Sequence, residues 1–223
     1  FIARATEAKN TTFVKFGVHY NQLYKSAALL NLTKKQFLLK NDVFSMDFIF
    51  GDNIRYNFDY YIDKGFYWSV GINSKYLGFN TFTNPASLIN ENEYPKIDNI
   101  QMNFSEFTHQ FFAETLIKKD LALKIGIEYK DLKITTNDNV FSTFFDTPEY
   151  KIEDGDFYSL FGSLKIDTID NKFFPTNGFM FEGSFKFYLG ASKSIGDFNE
   201  LSVFKSQISK AFKLADKLAL NIS

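Results

Sequence analysis

The 223-residue sequence contains no cysteine and only four prolines. Without cysteine, the chain forms neither a disulfide nor a thiolate metal site. The chain also has no excess of either charge, because 25 Lys and Arg balance 26 Asp and Glu to a net charge of −1. A basic excess is the usual mark of nucleic-acid binding, and we therefore predict no nucleic-acid partner.

Motifs that carry chemistry are equally scarce. No apolar run approaches 18 residues, so no transmembrane helix is expected, and the first residues lack the pattern of a signal peptide. The sequence has no G-x-S-x-G nucleophile motif and no glycine-rich phosphate loop. The only two histidines, His19 and His109, have no partner at metal-ligand spacing. We predict no catalytic, metal or cofactor site within these residues.

Aromatic residues, in contrast, are abundant. The chain has 29 Phe and 12 Tyr, yet its mean hydropathy is −0.20. A soluble core is more often filled with Leu, Ile and Val. Transmembrane β-barrels combine an apolar, aromatic exterior with a polar interior, and this composition fits them.

Period-2 alternation runs through the chain and is clearest in two stretches, 121–130 and 179–189. Alternation of this kind indicates strands with two unlike sides. We predict that the apolar side faces lipid, at Leu121, Leu123, Ile125, Ile127, Phe179, Phe181, Phe185 and Phe187. We predict that the polar side faces a lumen, at Lys15, Arg55, Asp59, Lys124, Glu128, Lys165 and Lys186. These charges are interpreted as a network that braces the lumen, in preference to a selectivity filter.

Counting the alternating segments gives about eleven strands and no helix. We predict long loops at 77–98, 137–156 and 190–200, after the fifth, seventh and ninth strands, and a bulge near Glu106. Most of the other connections are short. Outer-membrane barrels have long extracellular loops and short periplasmic turns. The predicted fold is therefore an all-β, antiparallel up-and-down transmembrane barrel at residues 11–223, preceded by a lead-in at 1–10, with a periplasmic N-terminus.

A soluble all-β protein, either a sandwich or a lipocalin-like barrel, is the alternative. A sandwich also alternates, and its outer face carries similar Lys, Glu, Asn and Ser residues. The phenylalanine content and the unequal loop lengths favour the membrane barrel.

The turn at 167–178, DTIDNKFFPTNG, resembles the D-x-x-D-N-x-x-x-P-T-x-G turn of the bacterial surface antigen barrel. That barrel belongs to the outer-membrane protein assembly factor superfamily and has about sixteen strands. The motif residues are Asp167, Asp170, Asn171, Pro175, Thr176 and Gly178. The resemblance implies that about five further strands lie outside these residues, because an open sheet edge is not tolerated in lipid.

Two further runs, 15–33 and 51–66, resemble the barrel that follows the catalytic domain in barrel-fused bacterial patatin-like phospholipases. In that family, a patatin domain with a Ser–Asp dyad and a POTRA-like module precede the barrel. This sequence lacks the G-x-S-x-G of the catalytic domain and the V-R-G-F-type loop motif of the barrel. The resemblance thus implies a barrel without chemistry of its own.

Three functions remain open from the sequence. The first is a barrel that anchors or translocates a patatin-like phospholipase, and the second is an insertase or translocase of the assembly-factor type. The third is a diffusive porin. All three imply outer-membrane lipid as a partner, and a homodimer partner or other outer-membrane proteins are also expected.

Overall fold

A computed structural model of the chain describes residues 11–21, 25–65, 67–83, 99–136, 150–193, 198–215 and 218–222. The predicted lead-in at 1–10 lies outside these residues. Eleven strands are present: β1 (Thr12–Asn21), β2 (Lys25–Lys35), β3 (Asp42–Gly51), β4 (Arg55–Ile62), β5 (Ser69–Thr83), β6 (Ile100–Lys118), β7 (Leu121–Thr136), β8 (Tyr150–Asp167), β9 (Gly178–Ser192), β10 (Ser202–Ala215) and β11 (Leu218–Ile222).

The strands form one sheet in chain order, β1 to β11, and each neighbouring pair is antiparallel. This is an up-and-down meander, which confirms the predicted all-β class and the count of eleven strands. Among the described residues, no helix is long and apolar enough to cross a membrane.

Strand length differs between the two parts of the sheet. Strands β1 to β4 have 8–11 residues, whereas β5 to β10 have 14–19. The predicted loop bounds were wrong at three places. Strand β5 continues to Thr83, β8 already begins at Tyr150, and β9 continues to Ser192, while residues 84–98, 137–149 and 194–197 lie outside the described part.

The bulge predicted near Glu106 was also wrong. Strand β6 pairs with β5 without a register shift from Ile100 to Glu114. On the other side, its pairing with β7 is regular until a shift between Leu116 and Lys118.

Register divides the side chains into two faces, because directly paired residues of antiparallel strands point to the same side. Pairing links Phe111, Ile127, Leu160 and Phe187 across β6 to β9, and we call their side the apolar face. The opposite side, which carries Glu128, is called the polar face.

Candidate functional site

One enclosed ion pair of the polar face joins β9 to β7 across the intervening strand β8. The Lys186 ammonium lies 2.6 and 2.7 Å from the two carboxylate oxygens of Glu128. The side chain of Glu128 is 1% exposed, and that of Lys186 is 27% exposed. The amide of Gln110 on β6 donates a third hydrogen bond to Glu128, at 2.6 Å. Three strands are therefore tied to one buried carboxylate, which is costly to bury unless it is paired.

A second carboxylate, Glu106 on β6, is held in the same way. Lys130 on β7 donates to its Oε2 at 3.1 Å, and Lys75 on β5 lies 3.6 Å from its Oε1. The hydroxyl of the buried Thr108 donates to Oε1 at 2.9 Å. Together, the clusters around Glu106 and Glu128 connect strands β5 to β9.

On the polar face, neutral donors instead join β2 to β3 and β4 to β5. Asn31 donates to Asp47 at 2.6 Å. Asn73 donates to Asp59 at 2.7 Å and to the side-chain oxygen of Asn57 at 2.8 Å. Asn57 in turn donates to Asp59. This part of the face is thus stabilised mainly by hydrogen bonds between amides and carboxylates.

The register places all seven predicted lumen-facing residues on the polar face: Lys15, Arg55, Asp59, Lys124, Glu128, Lys165 and Lys186. Lys124 pairs with Glu114 at 3.3 Å, and Lys165 with Glu182 at 3.5 Å. Sequence reasoning missed Gln110, Glu106 and Asn73 as members of these clusters. Their inward positions follow from the same alternation once the register of β5 and β6 is known.

Glycines and aromatic rings alternate in one row of the polar face, between Tyr61 on β4 and Phe161 on β8. Gly71 pairs with Phe112, Phe112 with Gly126, and Gly126 with Phe161. A Cβ added at Gly71 would meet the Phe112 ring, and one at Gly126 would lie 2.6 Å from the Phe161 ring. Rings that lie flat over glycines fill space next to the wall, and such glycines allow a sheet to curve.

Replacing Gly126 with alanine is expected to destabilise the fold by about 1–3 kcal/mol, because the new methyl group overpacks the wall. The methyl would lie 2.6 Å from the backbone oxygen of Phe111, which cannot move aside alone. Gly71→Ala is the matched control, since the three atoms nearest to its methyl all belong to the Phe112 side-chain ring. Guanidinium unfolding in phospholipid vesicles measures both, and equal losses would contradict this explanation.

The apolar face carries all eight predicted lipid-facing residues, namely Leu121, Leu123, Ile125, Ile127, Phe179, Phe181, Phe185 and Phe187. It is also the more exposed side, since Phe111 is 52% and Ile127 57% exposed. On the polar face, Thr108 and Glu128 are buried. A soluble sheet places its apolar side inward, and the reverse arrangement here is that of a barrel wall in lipid.

Tyrosines mark one end of the apolar band. The band runs from Leu121 to Tyr129 on β7 and from Ile166 to Tyr158 on β8, which is nine residues each. The Tyr129 and Tyr158 rings lie 5.4 Å apart. Nine residues rise about 27 Å along the strand, which agrees with the 9–11 residues of a tilted transmembrane strand. The tyrosines thus lie where an interfacial aromatic girdle belongs.

Beyond the tyrosines, the hydrophobic pattern changes sides. Asp131 and Lys133 follow Tyr129 on the formerly apolar side. On the polar side, Phe104 pairs with Phe79 and with Ile134, and the two phenylalanine rings lie 4.7 Å apart. The apolar band of this side therefore ends at the tyrosines.

The turn between β8 and β9 is held by the side chains of its motif. Asp170 accepts hydrogen bonds from the Thr176 hydroxyl and from the N–H groups of Thr176 and Asn177, the latter two at 3.0 and 3.1 Å. The Asn171 side-chain oxygen accepts from two further N–H groups. Gly178 has φ +125°, and an added Cβ would collide with the Thr168 carbonyl. Asp170, Asn171, Thr176 and Gly178 of the motif therefore each have a local structural reason.

The pH dependence of this turn follows from Asp170. The hydrogen bonds from the Thr176 hydroxyl, then from the N–H groups of Thr176 and Asn177, lower its pKa to about 2. A lowered pKa means that the turn has its full stability above the usual carboxyl pKa of about 3.9 and loses it as the pH falls through about 2. We expect pepsin to cleave beside Phe173 and Phe174 increasingly over that interval. Asp170→Asn should be cleaved throughout it, and equal cleavage of both proteins at the upper end would contradict the assignment.

Comparison with known proteins agrees with this architecture. The family model of the OMP85 superfamily matches residues 1–223. The chain belongs to the OMP85 superfamily. The crystal structure of BamA from Haemophilus ducreyi lacking POTRA domains 1–3 is similar to this OMP85 barrel, with a TM-score of 0.66 and 16% identity. The similarity covers 94% of this chain and 39% of that one. A search of curated proteins finds no match.

Membership of the OMP85 superfamily confirms part of the predicted resemblance. It supports the surface-antigen and assembly-factor barrel, and with it a location in the bacterial outer membrane. The association with a patatin-like phospholipase stays a prediction. Among the described residues, no cluster of three or more His, Cys, Asp or Glu residues could hold a metal ion.

Proposed function

We propose that this OMP85 barrel inserts or translocates polypeptides at the outer membrane. The observation that carries the proposal is the family match along all 223 residues. The likeness to a BamA barrel supports the fold. The described polar face supports a structural role, because its charges are mostly committed to one another, as in the Lys186–Glu128 pair.

The proposed arrangement in the membrane follows from the two faces. The apolar face contacts lipid and the polar face lines the lumen. The turns that follow β2, β4, β6 and β8 lie in the periplasm together with the N-terminal side of β1. The exposed band that ends at Tyr129 and Tyr158 supports the first two assignments. The sheet forms part of a barrel of about sixteen strands, in which other outer-membrane proteins or a second copy are partners.

The membrane orientation has a direct test, because the chain contains no cysteine. The variant Lys119→Cys, in the turn between β6 and β7, is expected not to react with a membrane-impermeant maleimide in intact cells. A cysteine at Lys193, just beyond β9, is expected to react. The reverse labelling pattern would overturn the orientation without affecting the assignment of the faces.

A second candidate function is the anchoring of a patatin-like phospholipase, which rests on the resemblance of runs 15–33 and 51–66. One experiment separates the two functions. Depleting the natural full-length protein from its bacterium is expected to lower the amount of other folded outer-membrane proteins. The purified protein should leave a fluorogenic phospholipid intact. Unchanged outer-membrane proteins together with hydrolysis of the phospholipid would favour the lipase.

A further inference from the structure

Two neighbouring turns enclose an open cleft at the edge of the sheet that also carries the turns after β6 and β8. One turn joins β2 to β3 and the other joins β4 to β5. The N–H of Asp63 in the second donates to the carbonyl of Asn41 in the first, at 2.8 Å. The cleft between them has a volume of about 760 Å³. Residues of both turns line it, among them Lys35, Lys40, Asp42, Asp63, Lys64 and Tyr67.

The lysines of the cleft are available to an anion. Lys40 and Lys64 are exposed, and within the described part of the chain neither ammonium has an anionic partner. The ammonium of Lys35 lies 5.7 Å from the centre of the Phe13 ring. Lys35 points to the polar face, as Phe13 does. Lys40 and Lys64 therefore offer the two exposed ammonium groups of this opening, and ammonium groups are common ligands of phosphate.

The two aspartates of the cleft are already engaged. Asp42 is buried and accepts the hydroxyl of Tyr60 at 2.7 Å. It also accepts three successive backbone N–H groups, those of residues 37, 38 and 39, at 2.6, 2.9 and 2.8 Å. Asp63 accepts the N–H of Gly65 at 2.7 Å. Because these carboxylates serve the turns, they compete little for the lysines.

Beside the lysines, the first turn presents three large apolar side chains. Phe37, Leu38 and Leu39 are 48%, 71% and 52% exposed. The Phe37 ring lies 4.8 Å from that of Phe44, which belongs to the apolar face. The tip of the turn therefore continues the lipid-facing surface beyond the strands.

The backbone N–H groups at this tip have hydrogen-bond acceptors within the protein. A loop at membrane depth is tolerated only where its polar backbone groups are satisfied. The N–H groups of Phe37, Leu38 and Leu39 all donate to Asp42. Apolar side chains next to basic ones, on a backbone with satisfied donors, are the features of a segment at the boundary between acyl chains and headgroups.

We propose that this cleft binds the phosphate headgroup of an anionic phospholipid in the leaflet next to these two turns. Lys40 and Lys64 contact the phosphate, and the acyl chains lie along Leu38, Leu39 and the apolar face. The choice of a phospholipid rests on the proposed orientation, which places these turns on the periplasmic side. The maleimide experiment tests that orientation independently of lipid binding.

Native mass spectrometry of the full-length protein tests the site, with phosphatidylglycerol titrated into a zwitterionic detergent. Lys40→Gln/Lys64→Gln is expected to weaken binding of the most tightly held lipid about tenfold, because each lysine near an anionic lipid surface contributes favourably. Lys118→Gln/Lys119→Gln removes the same charge from a turn on the same edge and should leave that binding unchanged. Lys40→Arg/Lys64→Arg should retain it.

Three results would overturn the proposal. Equal weakening by both glutamine pairs would indicate general attraction to charge, and no weakening by either would exclude the cleft. Displacement of the lipid by millimolar inorganic phosphate would show an anion site without lipid specificity. Leu38→Ser/Leu39→Ser should weaken long-chain phosphatidylglycerol more than its short-chain form, and an equal loss of both would exclude the acyl contact.

Discussion

Replacing Lys186 with methionine is expected to destabilise the barrel by about 3 kcal/mol, near the lower end of the range for breaking a buried ion pair. The change leaves the Glu128 carboxylate, 1% exposed, with Gln110 as its remaining hydrogen-bond donor. The loss is placed at the lower end because Lys186 itself is 27% exposed. Guanidinium unfolding of the full-length protein in phospholipid vesicles measures the free energy.

Two variants show whether the loss of stability comes from the unpaired charge of Glu128. Lys186→Met/Glu128→Gln removes both charges and should recover most of the stability, because an unpaired carboxylate is no longer buried. Lys165→Met breaks the Lys165–Glu182 pair, whose side chains are 46% and 51% exposed, and should cost no more than about 1 kcal/mol. If the Lys186 and Lys165 variants lost equal stability, the burial argument would fail.

Replacing Phe185 with arginine is expected to reduce the free energy of folding into a bilayer by about 2–4 kcal/mol. Phe185 pairs with Gly162, which also pairs with Ile125, at the middle of the band between Leu121 and Tyr129. An arginine there lies near the midplane of the bilayer. Phe181 pairs with Ile166 at the end of the band, so Phe181→Arg should cost less, about 0–1 kcal/mol.

Gln207→Arg is the matched control for the lipid-facing variants. Gln207 pairs with Glu182 on the polar face, where an added guanidinium can meet both water and a carboxylate. Folding into vesicles, followed by heat-modifiable migration on gels, compares the three proteins. A Gln207 variant that folds as poorly as the Phe185 variant would contradict the assignment of the faces.

Within the apolar band, alternation alone was sufficient to assign each side chain to one of the two faces. In β7, every second residue from Leu121 to Ile127 is a large apolar one, and the other face of the strand carries Lys124 and Glu128. Lipid on one side and a polar lumen on the other leave a strong period-2 signal. The sequence therefore predicted the strands and both faces.

The same signal fails outside the band, for a physical reason. On β6, Met102 and Phe104 point to the polar face, whereas Phe107 and Phe111 point to the apolar one. In the sequence this looks like a shift of register near Glu106. The backbone is in fact continuous, and the large apolar residues change from the polar face to the apolar face at the end of the band.

Contacts between residues on strands that are not direct neighbours also could not be predicted from the sequence. Lys186 and Glu128 are 58 positions apart, and both were predicted to face the lumen. Their pairing depends on the register of β7 with β8 and of β8 with β9. Neither register follows from the alternation, because a slip by two residues leaves every side chain on the same face. The sequence thus predicted which residues face the lumen, but not which of them form pairs.

The agreement between sheet order and chain order has a consequence for how such a wall assembles. Within the described sheet, each strand pairs only with its neighbours in the chain, so each hairpin closes a short segment at a small loss of chain entropy. Contact order stays low for so large a sheet, and low contact order favours rapid folding. A hairpin started at the turn around Asp170 can grow by adding one strand at a time on either side. Successive zippering of this kind exposes at most two open edges at any moment.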